Sequence, residues 1–226
     1  MHVTPYRFAL FLLAATVGLG QAEEHGKSRA DHLEKHFDAE ESARRFDDPA
    51  RDTWQVPDQV IAALNLKRGQ SVADIGAGTG YFTVRLAKSK ASPKVYAADI
   101  EPSMVKYLRE RAAREGLDNI VVVQASHDEP NLPEPVDLVL VVNTYHHIGN
   151  REAYFLRLAK SIKPGGRVAI IDFKPDSPEG PPKEFRFPPE RFRSEMGKAG
   201  YKLTAQHSFL PRQVFLIFEV AGPPSQ

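Results

Sequence analysis

The stretch Val72-Ala73-Asp74-Ile75-Gly76-Ala77-Gly78-Thr79-Gly80-Tyr81 leaves this chain few folds to adopt. A short apolar run ends in an acid, glycines follow at alternate positions, and Phe82, Val84, Leu86 and Ala87 then return at helical spacing. Strand, tight turn and helix in that order open a nucleotide-binding α/β sheet. Glycines at such a turn admit positive φ and let a ligand reach the backbone without meeting a Cβ atom.

Charge narrows the choice of nucleotide. A dinucleotide loop has glycines at its first, third and sixth positions and receives a pyrophosphate at the helix N-terminus. Here Tyr81 takes the sixth position, which argues against a dehydrogenase, and Asp74 stands just ahead of the first glycine. A carboxylate there repels a pyrophosphate and suits a ligand bearing an ammonium and a sulfonium, such as S-adenosylmethionine.

Further along, helices and strands alternate. A helix over 57–66 begins at Pro57, strand Ser71–Ile75 follows, and a helix over 79–89 leaves the glycine turn. The second strand, 95–100, ends in Asp99 and Ile100, where an acid is placed to accept bonds from ribose hydroxyls. A helix to Glu115, a strand over 120–123 and the nearly continuous apolar run Val136–Val142 come next; the last suits the buried middle of a parallel sheet. That central strand delivers Asn143-Thr144-Tyr145-His146-His147-Ile148 to the carboxyl edge, where open α/β sheets hold ligands. Tyr145, His146 and His147 are therefore the candidate catalytic groups. A helix over 151–162, a Lys163-Pro164-Gly165-Gly166 stop, a strand over 167–173, a helix over 189–199 and paired strands over 203–210 and 214–220 complete the series. Asp172 reads as a strand terminator. The Pro-rich loop 174–189 is either a lid with Arg186 as an anion anchor or a surface detour. Trp54 has two readings, packing of the arm or a lid wall over the site.

The D-x-G-x-G-x-G form, Asp99 and the closing hairpin together resemble class I S-adenosylmethionine-dependent methyltransferases over residues 46–220. That resemblance implies a Rossmann-like α/β fold: a seven-stranded, mostly parallel sheet with a C-terminal antiparallel hairpin and helices on both faces. It implies S-adenosylmethionine as cofactor, held by Asp74, by Gly76, Ala77, Gly78, Thr79, Gly80 and Tyr81, and by Asp99 and Ile100, with Asn143 near the transferring methyl. Relatives carry a glycine and an aspartate after the third strand to hold the adenine. This chain has Ala125 and Ser126, so Ser126, its backbone or Asp128 is left for that contact. The expected partner is a small-molecule methyl acceptor. An alternative use of the same fold is a non-catalytic module that binds the cofactor or S-adenosylhomocysteine.

Composition sets the remaining bounds. The 226 residues, 42% hydrophobic and 26% charged, fit a single domain with an extension, and a formal charge of +1 without a basic stripe argues against nucleic acid. The absence of cysteine excludes disulfides, thiolate metal sites and a cysteine nucleophile within the chain. Arg7, the apolar run 8–20 and small residues at Gly20 and Ala22 form a secretory signal pattern over 1–22, too short for a comfortable membrane span. Export would make the protein periplasmic or secreted, with no stable membrane insertion after cleavage. An uncleaved anchor and a misplaced start codon are the other readings of this segment. With the Phe46-Asp47-Asp48-Pro49 arm and the Thr144–Ile148 turn, the leader resembles a bacterial branch of the family. The domain is expected over 57–220, preceded by a charged arm at 23–56 and followed by a disordered tail at 221–226. His32 and His36 share a helical face with metal-binding spacing, but no third ligand of fixed geometry accompanies them or His25, and no metal is assigned.

Overall fold

A computed structural model describes residues 37–221. The leader 1–22, the histidines His25, His32 and His36, and the tail 222–226 lie outside the described residues. Seven strands form one sheet: β1 (Ser71–Ile75), β2 (Lys94–Asp99), β3 (Ile120–Gln124), β4 (Val136–Val142), β5 (Ile162–Phe173), β6 (Tyr201–His207) and β7 (Gln213–Val220). Their order is β3-β2-β1-β4-β5-β7-β6. The first five strands run parallel, and β7 pairs antiparallel with both β5 and β6. The order reverses between β1 and β4, the switch point at which such sheets bind ligands outside the strand ends.

Seven helices accompany the sheet among the described residues: α1 (Ala39–Phe46), α2 (Asp52–Gln55), α3 (Pro57–Leu64), α4 (Tyr81–Ala87), α5 (Pro102–Arg114), α6 (Arg151–Leu158) and α7 (Pro189–Lys198). The period of two in β4 sorts its side chains between two cores. Val136, Val139 and Val141 join Phe155 and Leu158 of α6 and Phe192 and Met196 of α7. Leu138, Leu140 and Val142 join Val60 and Leu64 of α3 and Phe82 and Leu86 of α4 on the other face. No helix among the described residues is long and apolar enough to cross a membrane.

Two boundaries differ from the sequence expectation. The helix over 151–162 ends at Leu158, a short 3-10 turn covers Ala159–Ser161, and Ile162 already pairs with Val136 as the first residue of β5. Leu138 next pairs with Arg167, so Lys163-Pro164-Gly165-Gly166 forms an irregularity inside the strand rather than a junction before it. Pro164 disfavours helical backbone at Lys163, whose ammonium bonds Asp137 on β4 at 2.8 Å and ties the irregularity down. At the other end, β6 spans Tyr201–His207, and Leu210 leaves the ladder to pack fully buried against the α3/α4 face.

Candidate active site

The glycine turn is built by backbone requirement. Gly76, Gly78 and Gly80 have φ of +69°, +57° and +92°, and α4 begins only after the last of them. A Cβ on Gly76 would lie 2.3 Å from Thr144 Oγ1, so the strand β4 exit packs directly on the turn. The amides of Gly76 and Ala77 donate to Ala98 O at 2.8 and 3.1 Å, which fixes the turn against the end of β2.

That docking sets two acids beside the glycines. Asp99 accepts from Gly78 N at 2.8 Å through one oxygen and from Glu101 N at 2.9 Å through the other. A carboxylate has about four acceptor sites, so each oxygen retains capacity for a ligand hydroxyl. Burial holds its pKa above the ordinary value, against the lowering effect of those amides. Asp74 is 3% exposed and accepts from Thr83 Oγ1 at 2.7 Å. Burial first, and the charge of Asp99 with it, push the Asp74 carboxyl up to about 6; the Thr83 bond and the Arg51 charge oppose the rise. The Thr79 hydroxyl is buried and has no hydrogen-bond partner among the described residues.

The remaining expected cofactor residues divide. Ile100 stands partly exposed at the rim beyond Asp99. Ala125 N bonds Asp99 O at 2.9 Å, bringing Ser126 to the same edge; its exposed hydroxyl exchanges bonds with the backbone of Glu129. Asp128 instead pairs with Arg157 at 2.8 Å. Tyr81 turns its side chain to the arm rather than to the loop: its ring lies between the guanidiniums of Arg51 and Arg85, at 3.8 and 3.9 Å, and its hydroxyl donates to Asp52.

At the β4 exit, Asn143 adopts φ of +54°, a conformation asparagine tolerates better than most residues, and its amide bonds Ile171 O on β5 at 2.9 Å. Its Oδ1 accepts from Gln213 Nε2, and Gln213 Oε1 accepts from Gln55 Nε2, both at 2.5 Å. The two glutamines are fully buried, so an unbroken amide chain joins α2 to the strand edge through β7.

The three candidate catalytic residues separate. Tyr145 is fully buried in the α6/α7 core, where its hydroxyl donates to Glu195 at 2.6 Å and its ring lies 4.6 Å from that of Phe192. It belongs to the packing beneath the edge, a placement its sequence neighbours did not disclose. His146, 4% exposed, sets Nδ1 at 2.8 and 2.9 Å from the two oxygens of Asp172. The carboxylate draws the imidazole proton to Nδ1 and leaves Nε2 as the basic nitrogen. Phe173 N also bonds Asp172 at 2.8 Å and His146 N at 3.2 Å, so the acid is held from three directions. His147 is half-buried, its ring 4.3 Å from that of His146 and edge-on to Phe37 at 5.7 Å.

The arm lies over this edge. Phe46 sits beneath Gly78, where an added Cβ would come within 3.4 Å of its ring, and Asp47 pairs at 2.9 Å with Arg111, which also bonds Thr79 O. Trp54 rests on Phe173 at 5.8 Å with Arg212 over its ring at 5.3 Å, so it both packs the arm and walls the end of β5. Arg186 donates to the carbonyls of Pro181 and Ser177, and these bonds brace its own loop.

Residues 66–205, more than half of the chain, match a family described as a methyltransferase domain. The chain belongs to the methyltransferase-domain family. A solved SAM dependent methyltransferase from Aquifex aeolicus is 27% identical with a TM-score of 0.75, covering 82% of this chain and 100% of that one. The ubiquinone/menaquinone biosynthesis C-methyltransferase UbiE of Cupriavidus metallidurans is 34% identical over 125 residues, 53% of this chain and 49% of that protein. The 27-O-demethylrifamycin SV methyltransferase of Amycolatopsis mediterranei is 30% identical over 124 residues, 54% and 45% of the two chains. The chain thus spans about half the length of these curated relatives. The methyltransferase-domain site fits S-adenosylmethionine by its own chemistry. It offers a tight glycine turn at the carboxyl edge of β1, one acid for a cation, one acid with spare acceptor capacity for a diol, and a buried hydroxyl unpartnered among the described residues.

Sequence reasoning missed Asp172 as the partner of His146, and it missed Gln55 and Gln213. The signal for Asp172 was the one that found Asp99, an acid at the carboxyl end of a parallel strand.

Proposed function

We propose that this chain is an S-adenosylmethionine-dependent methyltransferase acting on a small organic acceptor. The observation that carries the reading is the pair of buried acids, Asp74 and Asp99, beside a positive-φ glycine turn at the switch point of the sheet. Bound S-adenosylmethionine supplies an electrophilic methyl group on a positively charged sulfur. Asp74 faces the ammonium end, Asp99 accepts from the ribose hydroxyls, and Ser126 lies on the adenine side. Asn143, fixed by Gln213, lines the floor near the methyl position. Much of the catalytic work is alignment, worth on the order of 7–11 kcal/mol at best. His146 Nε2 takes the proton that a protic acceptor loses, and Asp172 orients the ring and stabilises the imidazolium. Relatives named for C- and O-methylation support an acceptor with a carbon or oxygen nucleophile.

The catalytic unit is the domain 57–220 with the preceding arm. The leader pattern supports a bacterial, exported protein, and an exported chain also suits the alternative of a cofactor-binding module. Incubation with methyl-labelled S-adenosylmethionine and a panel of phenols, hydroxyquinones and amines separates the two. We expect label transfer, with His146→Ala and Asp172→Asn lowering kcat by roughly 10²–10⁴ while S-adenosylhomocysteine affinity is kept. Tight binding without transfer to any acceptor favours the module, and unchanged kcat in His146→Ala removes the base.

A further inference from the structure

Glu195 of α7 gathers donors onto both of its oxygens. Tyr145 Oη donates to Oε2 at 2.6 Å, and Arg151 Nε donates to the same oxygen at 2.5 Å. Arg151 Nη2 and Arg191 Nε donate to Oε1 at 3.0 and 2.9 Å. A carboxylate has about four acceptor sites, so these bonds fill it. The third nitrogen of Arg151, Nη1, donates to Ile148 O at 2.9 Å. Tyr145 and Ile148 stand immediately before and after His146 and His147. One acid therefore holds both ends of the two-histidine turn, through the Tyr145 hydroxyl at one end and the Arg151 guanidinium at the other. The assembly is enclosed: the side chains of Arg151 and Glu195 are 5% and 15% exposed, and the Phe187 ring lies 4.8 Å from Arg151 and 4.0 Å from Arg191. Burial alone would raise the Glu195 pKa, but the bonds from Arg151, Tyr145 and Arg191 bring it down to about 2, so the acid is ionised at neutral pH.

A buried ion pair adds little net stability, because desolvation offsets the attraction. What directional bonds from three side chains supply is a fixed geometry, and the residues between the two anchored ends are the histidines. From the opposite side, Asp172 of β5 holds His146 at ring Nδ1 and at its backbone amide. We propose that Glu195 is a positioning residue for methyl transfer: it clamps the turn 145–148 so that the His146 ring keeps its bond to Asp172 and presents Nε2 to the acceptor. This rests on the methyltransferase reading with His146 as the base, and extends it to a carboxylate that acts through its neighbours. The two acids have separate duties. Asp172 sets the tautomer of the ring, and Glu195 sets the backbone from which the ring projects.

Nitrogen-15 NMR on the intact, ligand-free protein reads the ring directly, because each imidazole nitrogen reports whether it carries the proton; His146→Ala assigns the signals. We expect wild-type His146 to hold its proton on Nδ1. Glu195→Gln should draw the two ring shifts together as the Asp172 bond loosens, while the exposed His127 stays unmoved. With the phenol, hydroxyquinone or amine that takes label, its kcat should fall roughly tenfold to a hundredfold, and S-adenosylhomocysteine affinity should stay within about twofold. In a His146→Ala background the same change should cost less than about twofold, because the clamp acts only through that ring. Tyr145→Phe removes a single bond to Glu195, should give the same effects in smaller measure, and serves if Glu195→Gln does not fold. An unmoved tautomer in the folded variants overturns the proposal, as do equal kcat losses with and without His146, the mark of a purely structural role. Failure of wild type to bind S-adenosylhomocysteine overturns the adenosylmethionine reading instead, and the ring shifts still decide the clamp.

Discussion

Asp74 concentrates the electrostatics of the site in one side chain. With its folded pKa near 6 against an ordinary 3.8, the ligand-free fold holds a proton through a window in which the unfolded chain has released it. The stability this group contributes is therefore full below 3.8, falls as pH rises through the window, and is absent above about 6, a difference of about 3 kcal/mol. A cationic ligand reverses the preference, because it needs the carboxylate. Cofactor affinity measured by calorimetry should thus weaken roughly tenfold per pH unit below about 6, and Asp74→Asn should weaken it above that pH and flatten the dependence. Gly76→Ala tests the turn independently of charge. Its Cβ would lie 2.3 Å from Thr144 Oγ1 at a φ of +69°, and denaturant unfolding should show a loss on the order of 1–3 kcal/mol.

Elements decide which residues reach the edge together, and here the sequence was legible in part. The glycine turn and Asp99 could be read because their signals are local, a spacing of glycines and an acid at a strand end. His146 and Asp172 stand 26 positions apart and meet through the parallel register of β4 and β5, which no single segment reports. The Gln55–Gln213 bond spans 158 positions and depends on the antiparallel placement of β7 and on the docked arm. The misplaced helix end has a similar cause: Phe155, Leu158 and Ile162 fit a helical stripe, but Ile162 is claimed by Val136 across the sheet. Tyr145 shows the limit from the other side, since a tyrosine next to two histidines gave no sign that Glu195 of α7 would take its hydroxyl. The amide chain makes its own prediction. Gln213→Leu strands Gln55 Nε2 and Asn143 Oδ1 without their partner, and urea unfolding should register a loss of about 1–3 kcal/mol for each group left unpaired. Gln55→Leu added to Gln213→Leu should cost less than the two changes summed, because the first has already broken the contact.

At the scale of the whole molecule, the five parallel strands make a switch point and the arm packs beside it, with Phe46 near Gly78, Arg51 on the Tyr81 ring and Trp54 on Phe173. Ligand binding to such a fold must stabilise it by mass action, by about 2.7 kcal/mol at a hundredfold excess over Kd. The most direct measurement is therefore a titration of the intact, folded protein with S-adenosylmethionine and S-adenosylhomocysteine, read by calorimetry and by thermal unfolding in parallel. We expect one site per chain for either ligand and a Tm that climbs with ligand concentration. No heat of binding and an unmoved Tm for both ligands would contradict the claim that the acids beside the glycine turn exist to hold a cationic nucleoside.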